Sequence, residues 1–579
     1  MGVSYATLNS RGYIPLEGDG AFPVENVVRW LKAHRSLPTV FFNAPYDVGW
    51  LGTLGVEPPD TIHDAMAMAV HLDENRQDLS LDGVCRWQGV QGKDRQLLNE
   101  AAACYGIIKS KDVMSNLWRL PSRYVGPYAE QDARSTLDLF YKMKPKLEVD
   151  NVWDAYLTDA SLVPMVVEMR RRGIRIDVDL VESTAERILR RADEVLRELE
   201  RRLNLRLTYT DIASSQRLEP IFKQEQVPYP RTAKGNPSFE SEWMRGAEHW
   251  LPSGIAEVRA LRDAGEKFLR GYILEYSNNG RIHAEIHPYR SPEGGTRSHR
   301  FSYSNPPLQQ MPSLNPELAS AIRGVFLPER DREWTIFDYS QQEPRLTVHY
   351  AVLAEVLGWE DALAYYTEAG SEGDYHAMVA KLTGIPRPRA KIINLALAYG
   401  MGIALLAAKL GVSLEEAKRI MTVYHDRVPF IRRLTDLCSK KANQRGYIQL
   451  IDGARCHFDL WEPQRWRDDE DYKPLPRERA FATWKGRPLK RAFTHKAMNR
   501  LIQGSAARQT KLAMLELWRH GHVPMLQMHD DLNFSTAPGD TRTRREIYDI
   551  MKNIIPLQVP MKVDVEVGKD WGHVEKIAA

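Results

Sequence analysis

Two acidic strand ends, far apart in the chain, constrain its fold more than any other feature. Trp334-Thr335-Ile336-Phe337 is apolar and β-prone, so it reads as a buried strand. Asp338-Tyr339-Ser340-Gln341-Gln342-Glu343-Pro344-Arg345 follows it directly. An aspartate there sits at the rim of a sheet, where its carboxylate and the Tyr339 carbonyl can offer oxygens to a hard dication. One such aspartate alone is more often a cap or turn residue. A second acidic strand end lies about 190 residues downstream. Val523–Met528 leads into His529-Asp530-Asp531, and Leu532-Asn533-Phe534 resumes the apolar pattern, as in a hairpin with acids at its turn. Together the two turns imply one two-metal site assembled by the fold.

Composition narrows the class. A chain of 579 residues holds several domains, and 43% apolar content supports real cores. No run of eighteen apolar residues occurs, so no membrane span is expected. The first residues lack a basic-then-apolar leader, which predicts a cytoplasmic protein. Cys85, Cys104, Cys438 and Cys456 form no Cys-x-x-Cys pair, so neither structural zinc nor disulfides are expected. With a net charge of only +3, a nucleic-acid binder must gather its basic residues locally.

Residues 1–150 alternate short apolar runs with helical ones, as an α/β domain does. Thr39-Val40-Phe41-Phe42 reads as a strand and Tyr128 to Lys144 as a helix. From about 160 to 275 the pattern is helical. Asp179 with Glu182 resembles a capping box, and Ile188, Ala192, Val195, Leu199 and Leu203 mark one apolar face. Arg187, Arg190, Arg191, Arg197, Arg201 and Arg202 decorate that helix, either as a solvated face with glutamate partners or as a face along a phosphate backbone. Residues 280–350 return to strands, and 351–445 are helical. The polar, Pro-containing stretch 461–492 reads as a surface insertion.

Arg387 to Gly400 is a third constellation. Pro386 and Pro388 fit only near a helix start, and Gly400 suits its end. Arg387, Lys391, Leu395 and Tyr399 recur every four residues, so they share a face. Arg387 and Lys391 then stand roughly 6 Å apart along the axis, a spacing that matches adjacent phosphates. The helix dipole adds to their charge, and Tyr399 is placed to stack on a base. The competing reading is an ordinary amphipathic helix with a basic start. His376, just upstream, is either a donor to the same phosphates or a structural histidine.

With these motifs in order, the chain resembles the family A DNA polymerases, the class of bacterial DNA polymerase I and many phage replicases. Asp338–Arg345 resembles the family's first palm motif, Arg387–Gly400 its fingers helix, and Gln527–Asp531 its second acidic motif. Ser298–Pro306 with Leu308-Gln309, Gly446-Tyr447 with Gly453-Ala454-Arg455, and Asn499 with Gln503–Ala507 resemble its DNA-contacting segments. Val567–Trp571 matches its carboxy-terminal signature, and the insertion is similar to the phage or prophage branch. The resemblance implies an α/β and α+β multidomain right hand. Its thumb and connecting helices would span 151–278, the palm 279–350 and 446–579, and the fingers 351–445, with 1–150 an RNase H-like exonuclease domain.

The resemblance also implies roles. Asp338 and Asp530, with the Tyr339 carbonyl and Asp531 as a neighbour, would bind two Mg²⁺ ions, with Mn²⁺ able to substitute. Lys391, Arg387 and His376 would hold the triphosphate, and Lys391 would also serve as proton donor. Glu343 would exclude a ribose 2′-hydroxyl, Tyr399 would stack near the templating base, and Gln341 and Leu395 would line the nucleotide site. Arg300, Asn499, Gln503, His529 and Arg455 would contact DNA. Leu395 stands where an aromatic is usual, and His299 where glycine is usual. The implied partners are primer–template DNA and dNTPs, acted on by a monomer, with separate replication factors possible.

Residues 1–150 resemble a DEDD-type 3′–5′ exonuclease. Asn43–Asp47 resembles its second motif, and Tyr128–Asp132 its third, with Tyr128 orienting water and Asp132 binding metal. Asp64 is an additional acid or a cap. The first motif, Asp-x-Glu, has no match, and Gly2–Ala6 resembles the strand after it. The expectation is an exonuclease-like domain lacking its first catalytic strand, with weak or absent proofreading unless a separate polypeptide completes it. Rival readings are a single-subunit RNA polymerase, against which Glu343 argues, a catalytically idle nucleic-acid-binding relic, and a protein whose main activity is nucleolytic.

Overall fold

The computed structural model describes residues 2–578 except 19, 94, 108, 233, 313–314, 399–401 and 467–472. Its centre is a five-stranded antiparallel sheet in the order Leu526–Met528, Asp531–Thr536, Glu333–Tyr339, Val563–Asp570, His573–Ile577. Trp334, Phe337 and Tyr339 are fully buried in the middle strand, as its apolar run predicts. The helix Ala497–Arg519 and the helix Thr541–Asn553 pack beside the sheet.

Residues 342–445 form a helical cluster around Tyr366, Tyr375, Met378, Tyr424 and Phe430. Its helix Arg387–Ala398 starts at the predicted prolines. A long helix, Val178–Leu203, packs against Trp250–Arg262 and its π-helical continuation Asp263–Leu274. Its buried face carries Ile188, Ala192, Val195, Leu199 and Leu203, as the period predicts. The cap differs by two residues. Asp177, not Asp179, accepts the Leu180 N–H at 2.9 Å, because the chain leaves the strand Ile174–Ile176 only one residue earlier. On the outer face Arg191 meets Glu257 at 3.3 Å, and Arg202 meets Glu198 at 2.8 Å. Those glutamate partners are the arrangement of a solvated face.

Three expected boundaries fall inside elements, the start of the insertion at 461 cutting the strand Leu460–Pro463. The boundary at 278 cuts the hairpin Ser277–Asn278/Arg281–Ile282, which joins the strands Ile174–Ile176 and Phe326–Leu327 in one sheet. The boundary at 350 cuts the helix Gln342–Leu353. In the first 150 residues the strands form two separate pairs among the described residues, Gly2–Ala6 with Arg11–Pro15 and Thr39–Phe41 with Ile62–Asp64. The helix expected over Tyr128 to Lys144 runs Ser122–Val149, through Pro127 and Pro145. Its buried side chains Leu139, Met143 and Leu147 pack into the core around Met66 and Met68. All four cysteines are free, and among the described residues no helix is long and apolar enough to cross a membrane.

Candidate active site

Strand pairing decides where the acids meet. Glu333–Tyr339 runs between its neighbours with Asp338 opposite Asp531 on one side and Asp564 on the other. The turn before Asp531 is tight: His529 has φ 55°, in the left-handed region, and Gln527 Nε2 donates to the His529 carbonyl at 2.7 Å. Tyr339 N–H donates to the Asp530 carbonyl at 3.4 Å, which lays the turn against the end of the middle strand. Asp338, Asp530 and Asp531 therefore share one corner. The Tyr339 side chain points away, its hydroxyl donating to the Met551 carbonyl at 2.8 Å.

The corner crowds carboxyls beyond what its surroundings balance, although Lys576 lies 2.9 Å from Asp564. Burial pushes the Asp338 carboxyl up to about 7, and Asp530, Asp564 and Glu566 add to the rise. Burial also raises Asp530, and it raises Asp531 well above the carboxylate range with help from Asp338 and Asp530. An all-oxygen donor set carrying excess negative charge suits a hard dication. Among the described residues no three of His, Cys, Asp and Glu surround one metal position. Mg²⁺-type ions take one or two carboxylates and complete their shell with water and substrate phosphate, so the residues present fit such an ion. Asp564 and Glu566 were missed by the sequence reading. Their alternation on the strand Val563–Asp570 was the available signal.

A raised carboxyl pKa carries a stability consequence for the metal-free protein. With Asp338 at about 7 in the fold and 3.8 outside it, its contribution is most favourable below pH 4 and is lost as pH rises through 7. Asp338→Asn escapes that loss. We expect the metal-free variant to be the more stable at pH 8 by about 1–2 kcal/mol, discounted for partial exposure, with the gap closing near pH 4. Urea denaturation in EDTA at both pH values measures it, and a gap independent of pH contradicts it.

Beside the acids lies a cleft of about 370 Å³ lined by Arg300, Gln341, Gln342, Glu343, Pro344, His529 and Asp530. Five of these seven were candidate site residues from the sequence. Gln341 caps the helix Gln342–Leu353 with φ 55°, a kink that turns Glu343 into the cleft. The Arg300 guanidinium donates to the Glu343 carboxylate. Burial raises Glu343, Arg300 opposes the rise, and Asp530 adds to it. Arg300, expected to be open for DNA, is thus engaged by Glu343 in the free protein.

Gln341 links the cleft to the next helices. Its Nε2 donates to Asp374 Oδ2 at 2.8 Å, and its Oε1 accepts the Tyr375 N–H at 2.8 Å. Asp374 also takes Arg387 Nη2 at 2.6 Å. Burial opposes ionisation of Asp374, but bonds from Arg387, the Ala377 N–H and Gln341 hold its carboxyl down at about 2. Arg387, expected on a triphosphate, is therefore paired internally. Lys391 is exposed and has no acidic partner among the described residues. His376 is buried, with its Nδ1 2.9 Å from Asn394 Nδ2. An amide nitrogen only donates, so Nδ1 accepts and the ring proton sits on Nε2. Asn394 Oδ1 in turn accepts from Tyr424 at 2.6 Å. Both Asn394 and Tyr424 were missed, for they lie 30 residues apart and nothing local marks them. Tyr399 and the Leu395 side chain lie outside the described residues.

Asn499 and Gln503 are half-buried on the helix Ala497–Arg519, which also grips Gln342 through the Ala506 carbonyl and Gln509. Arg455, expected among the DNA contacts, is engaged internally in the free protein. Its guanidinium is 2.8 Å from Asp150 and stacks 4.0 Å over the Tyr447 ring, so it staples the hairpin Tyr447–Gln449/Arg455–His457 to the end of the first region.

In the first region Asn43 (φ 67°) starts the helix Ala44–Thr53 with Asp47 in its first turn. Burial, then Asp64, push Asp47 up to about 7. Asp64 is the cap: it accepts from the Met66 and Ala67 N–H groups at 2.8 and 3.3 Å, and from Tyr289. Asp132 is bound differently. Lys93 Nζ lies 3.2 Å from its carboxylate and 2.9 Å from the Tyr128 hydroxyl, so an internal ammonium stands between the two residues expected to hold metal and water.

Comparison with known proteins gives the same direction. A model of DNA polymerase family A matches residues 182–573. A DNA-directed DNA polymerase of Pseudomonas phage M6 is 30% identical, the match covering 99% of this chain and 90% of that one. DNA polymerase DpoZ of Vibrio phage phiVC8 is 27% identical over 86% of this chain and 79% of its own. Among solved structures, the POL domain of Pol1 from M. smegmatis, in complex with DNA primer-template and dNTP, superposes with a TM-score of 0.74. It covers 97% of this chain and 90% of its own at 20% identity, and so speaks to the fold.

Proposed function

Because this chain belongs to DNA polymerase family A, on its phage side, we propose that the cleft beside Asp338 and Asp530 is where a deoxynucleotide joins a primer 3′-hydroxyl. The protein is a template-directed DNA polymerase, and family A polymerases use divalent metal ions. The observation that carries the reading is the convergence of Arg300, Gln341, Glu343, His529 and Asp530 on one cleft at the acidic corner.

Asp338, Asp530 and the Tyr339 carbonyl would hold two Mg²⁺ ions, for which Mn²⁺ can stand in. When bound, such ions acidify the attacking hydroxyl and neutralise the triphosphate. Asp531, bonded by Asn533, supports the corner from the side. Glu343 would close the space a ribose 2′-hydroxyl needs. Lys391 would bind the triphosphate and give a proton to the departing pyrophosphate. His376, with its proton fixed on Nε2 by Asn394, would donate to an outer phosphate, and Arg387 would follow by exchanging Asp374 for phosphate. Arg300, Asn499, Gln503 and His529 would meet the primer–template minor groove and terminus. Tyr399 and Leu395 would complete the nucleotide site.

Glu343→Ala is expected to lower discrimination between dNTPs and rNTPs by roughly 10- to 100-fold. The ratio of kcat/KM values for matched dNTP and rNTP pairs measures it, and an unchanged ratio removes Glu343 from that role. Proofreading is expected to be weak, because the Lys93 ammonium pairs with Asp132. Extension from matched and mismatched 3′ ends tests both parts. The matched primer should be extended and the mismatched end left in place. No extension of the matched primer contradicts the assignment of the cleft, and rapid removal of the mismatch contradicts the assignment of Lys93.

A further inference from the structure

The stretch between the hairpin Tyr447–Gln449/Arg455–His457 and the helix Ala497–Arg519 has no part in the chemistry above. It builds a small sheet of Leu475–Pro476, Leu460–Pro463 and Leu489–Arg491, joined by the helix Arg477–Thr483. Residues 458–496 carry ten basic side chains against seven acids; the acids crowd into its first part, and residues 473–492 carry seven basic side chains against the single acid Glu478, with Lys490 paired to Glu462 at 3.4 Å. This is a local gathering of positive charge of the kind a polyanion needs.

The stretch carries a ladder of cations and rings. The Arg477 guanidinium lies 5.8 Å from the Phe481 ring centre. Phe481 meets Trp461 edge-on at 5.6 Å, and the Arg491 guanidinium lies 4.8 Å over Trp461. Phe481 is 50% exposed, and Arg477, Arg479 and Lys485 are exposed on the same stretch. Arg477 has no acidic partner among the described residues. Burial lowers the Arg491 guanidinium below its ordinary value; Asp459 opposes this, and Arg477 adds to it. Two like charges held across a ring pair are relieved by an anion between or beside them.

We infer that this ladder is a binding subsite for single-stranded nucleic acid, with phosphates on Arg477, Arg491 behind it, and a base stacked on Phe481. The exposed ring decides between single strand and duplex. Bases in a duplex are already stacked and offer no free face, whereas an unpaired strand pairs each base with an aromatic and each phosphate with a cation. The inference rests on the polymerase reading only for the source of that strand, the unpaired template beyond the primer end.

The test uses the full chain and a short fluorescent oligo(dT) strand, in EDTA and without dNTP, read by anisotropy. Phe481→Ala and Arg477→Glu should each weaken binding by about tenfold. Arg477→Glu should also flatten the salt dependence by about 0.7 in the log–log slope for each phosphate that the variant leaves unneutralised. Phe481→Trp should bind as the wild type does. Affinity for a blunt duplex, and extension across a one-nucleotide overhang, should not change. Equal single-strand binding by wild type and both variants overturns the inference, as does an equal loss on blunt duplex. Failure of the wild type to extend any primer instead overturns the polymerase assignment of the cleft, so the two failures are distinguishable.

Discussion

Asp530→Ala should cut primer extension by roughly 10³-fold while leaving the fold intact, the scale on which a fixed electrostatic group acts on a developing charge. The carboxylate stands at the cleft wall, and its charge already helps hold Asp338 up at about 7. Its removal therefore relieves repulsion in the metal-free protein even as it removes the proposed metal ligand. Loss of activity with unchanged or raised stability is the signature of a group kept for chemistry rather than for packing. Single-turnover extension and thermal denaturation on the same samples provide both readings. A variant that extends at a tenth of the wild-type rate or faster places the chemistry elsewhere.

The second large effect concerns stability. Asp159 is fully buried and accepts from Arg508 Nη1 at 2.7 Å, Lys511 Nζ at 2.8 Å and His71 Nε2 at 2.8 Å. Burial alone would raise its carboxyl, but Arg508, Lys511 and His71 hold it well below the carboxylate range. Arg508 keeps a second acidic partner in Asp452, while Lys511 keeps the Pro288 carbonyl and the Phe301 ring at 5.4 Å but no second acid among the described residues. Burial pulls Lys511 down to about 8, with Asp159 opposing. Asp159→Ala leaves both cations buried with too little negative charge, which should cost about 3–5 kcal/mol. Asp159→Leu together with Lys511→Met should cost less than the single change, since a matched apolar replacement strands one cation fewer. Urea denaturation measures both. If the double variant is no better than the single one, the cost is loss of shape rather than an uncompensated charge.

The two sites differ in how far the sequence discloses them. The acidic corner was legible because each half carries a local signature: an apolar strand ending in aspartate, and a hairpin whose turn is acidic. The helix Arg387–Ala398 was legible through its prolines and four-residue spacing. What was not legible depends on long-range pairing. Arg455 and Asp150 lie 305 residues apart, and Asp159 and Arg508 lie 349 apart, so no window of sequence contains both partners. Lys93 reads as one more surface lysine until the fold sets it between Tyr128 and Asp132. The cap at Asp177 was misplaced for a smaller reason. Asp177 and Asp179 are both plausible caps, and only the path of the strand before them decides.

The His71–Asp159 contact bears on how this enzyme could be shortened. Glu74, from the same early helical region, accepts the His457 N–H at 2.6 Å and faces its ring at 2.7 Å. A cut at residue 150 would discard both His71 and Glu74 and open a cavity lined with orphaned imidazole and amide donors. Whoever engineers a minimal version of this polymerase would be grafting a new polar lid as well as deleting a module.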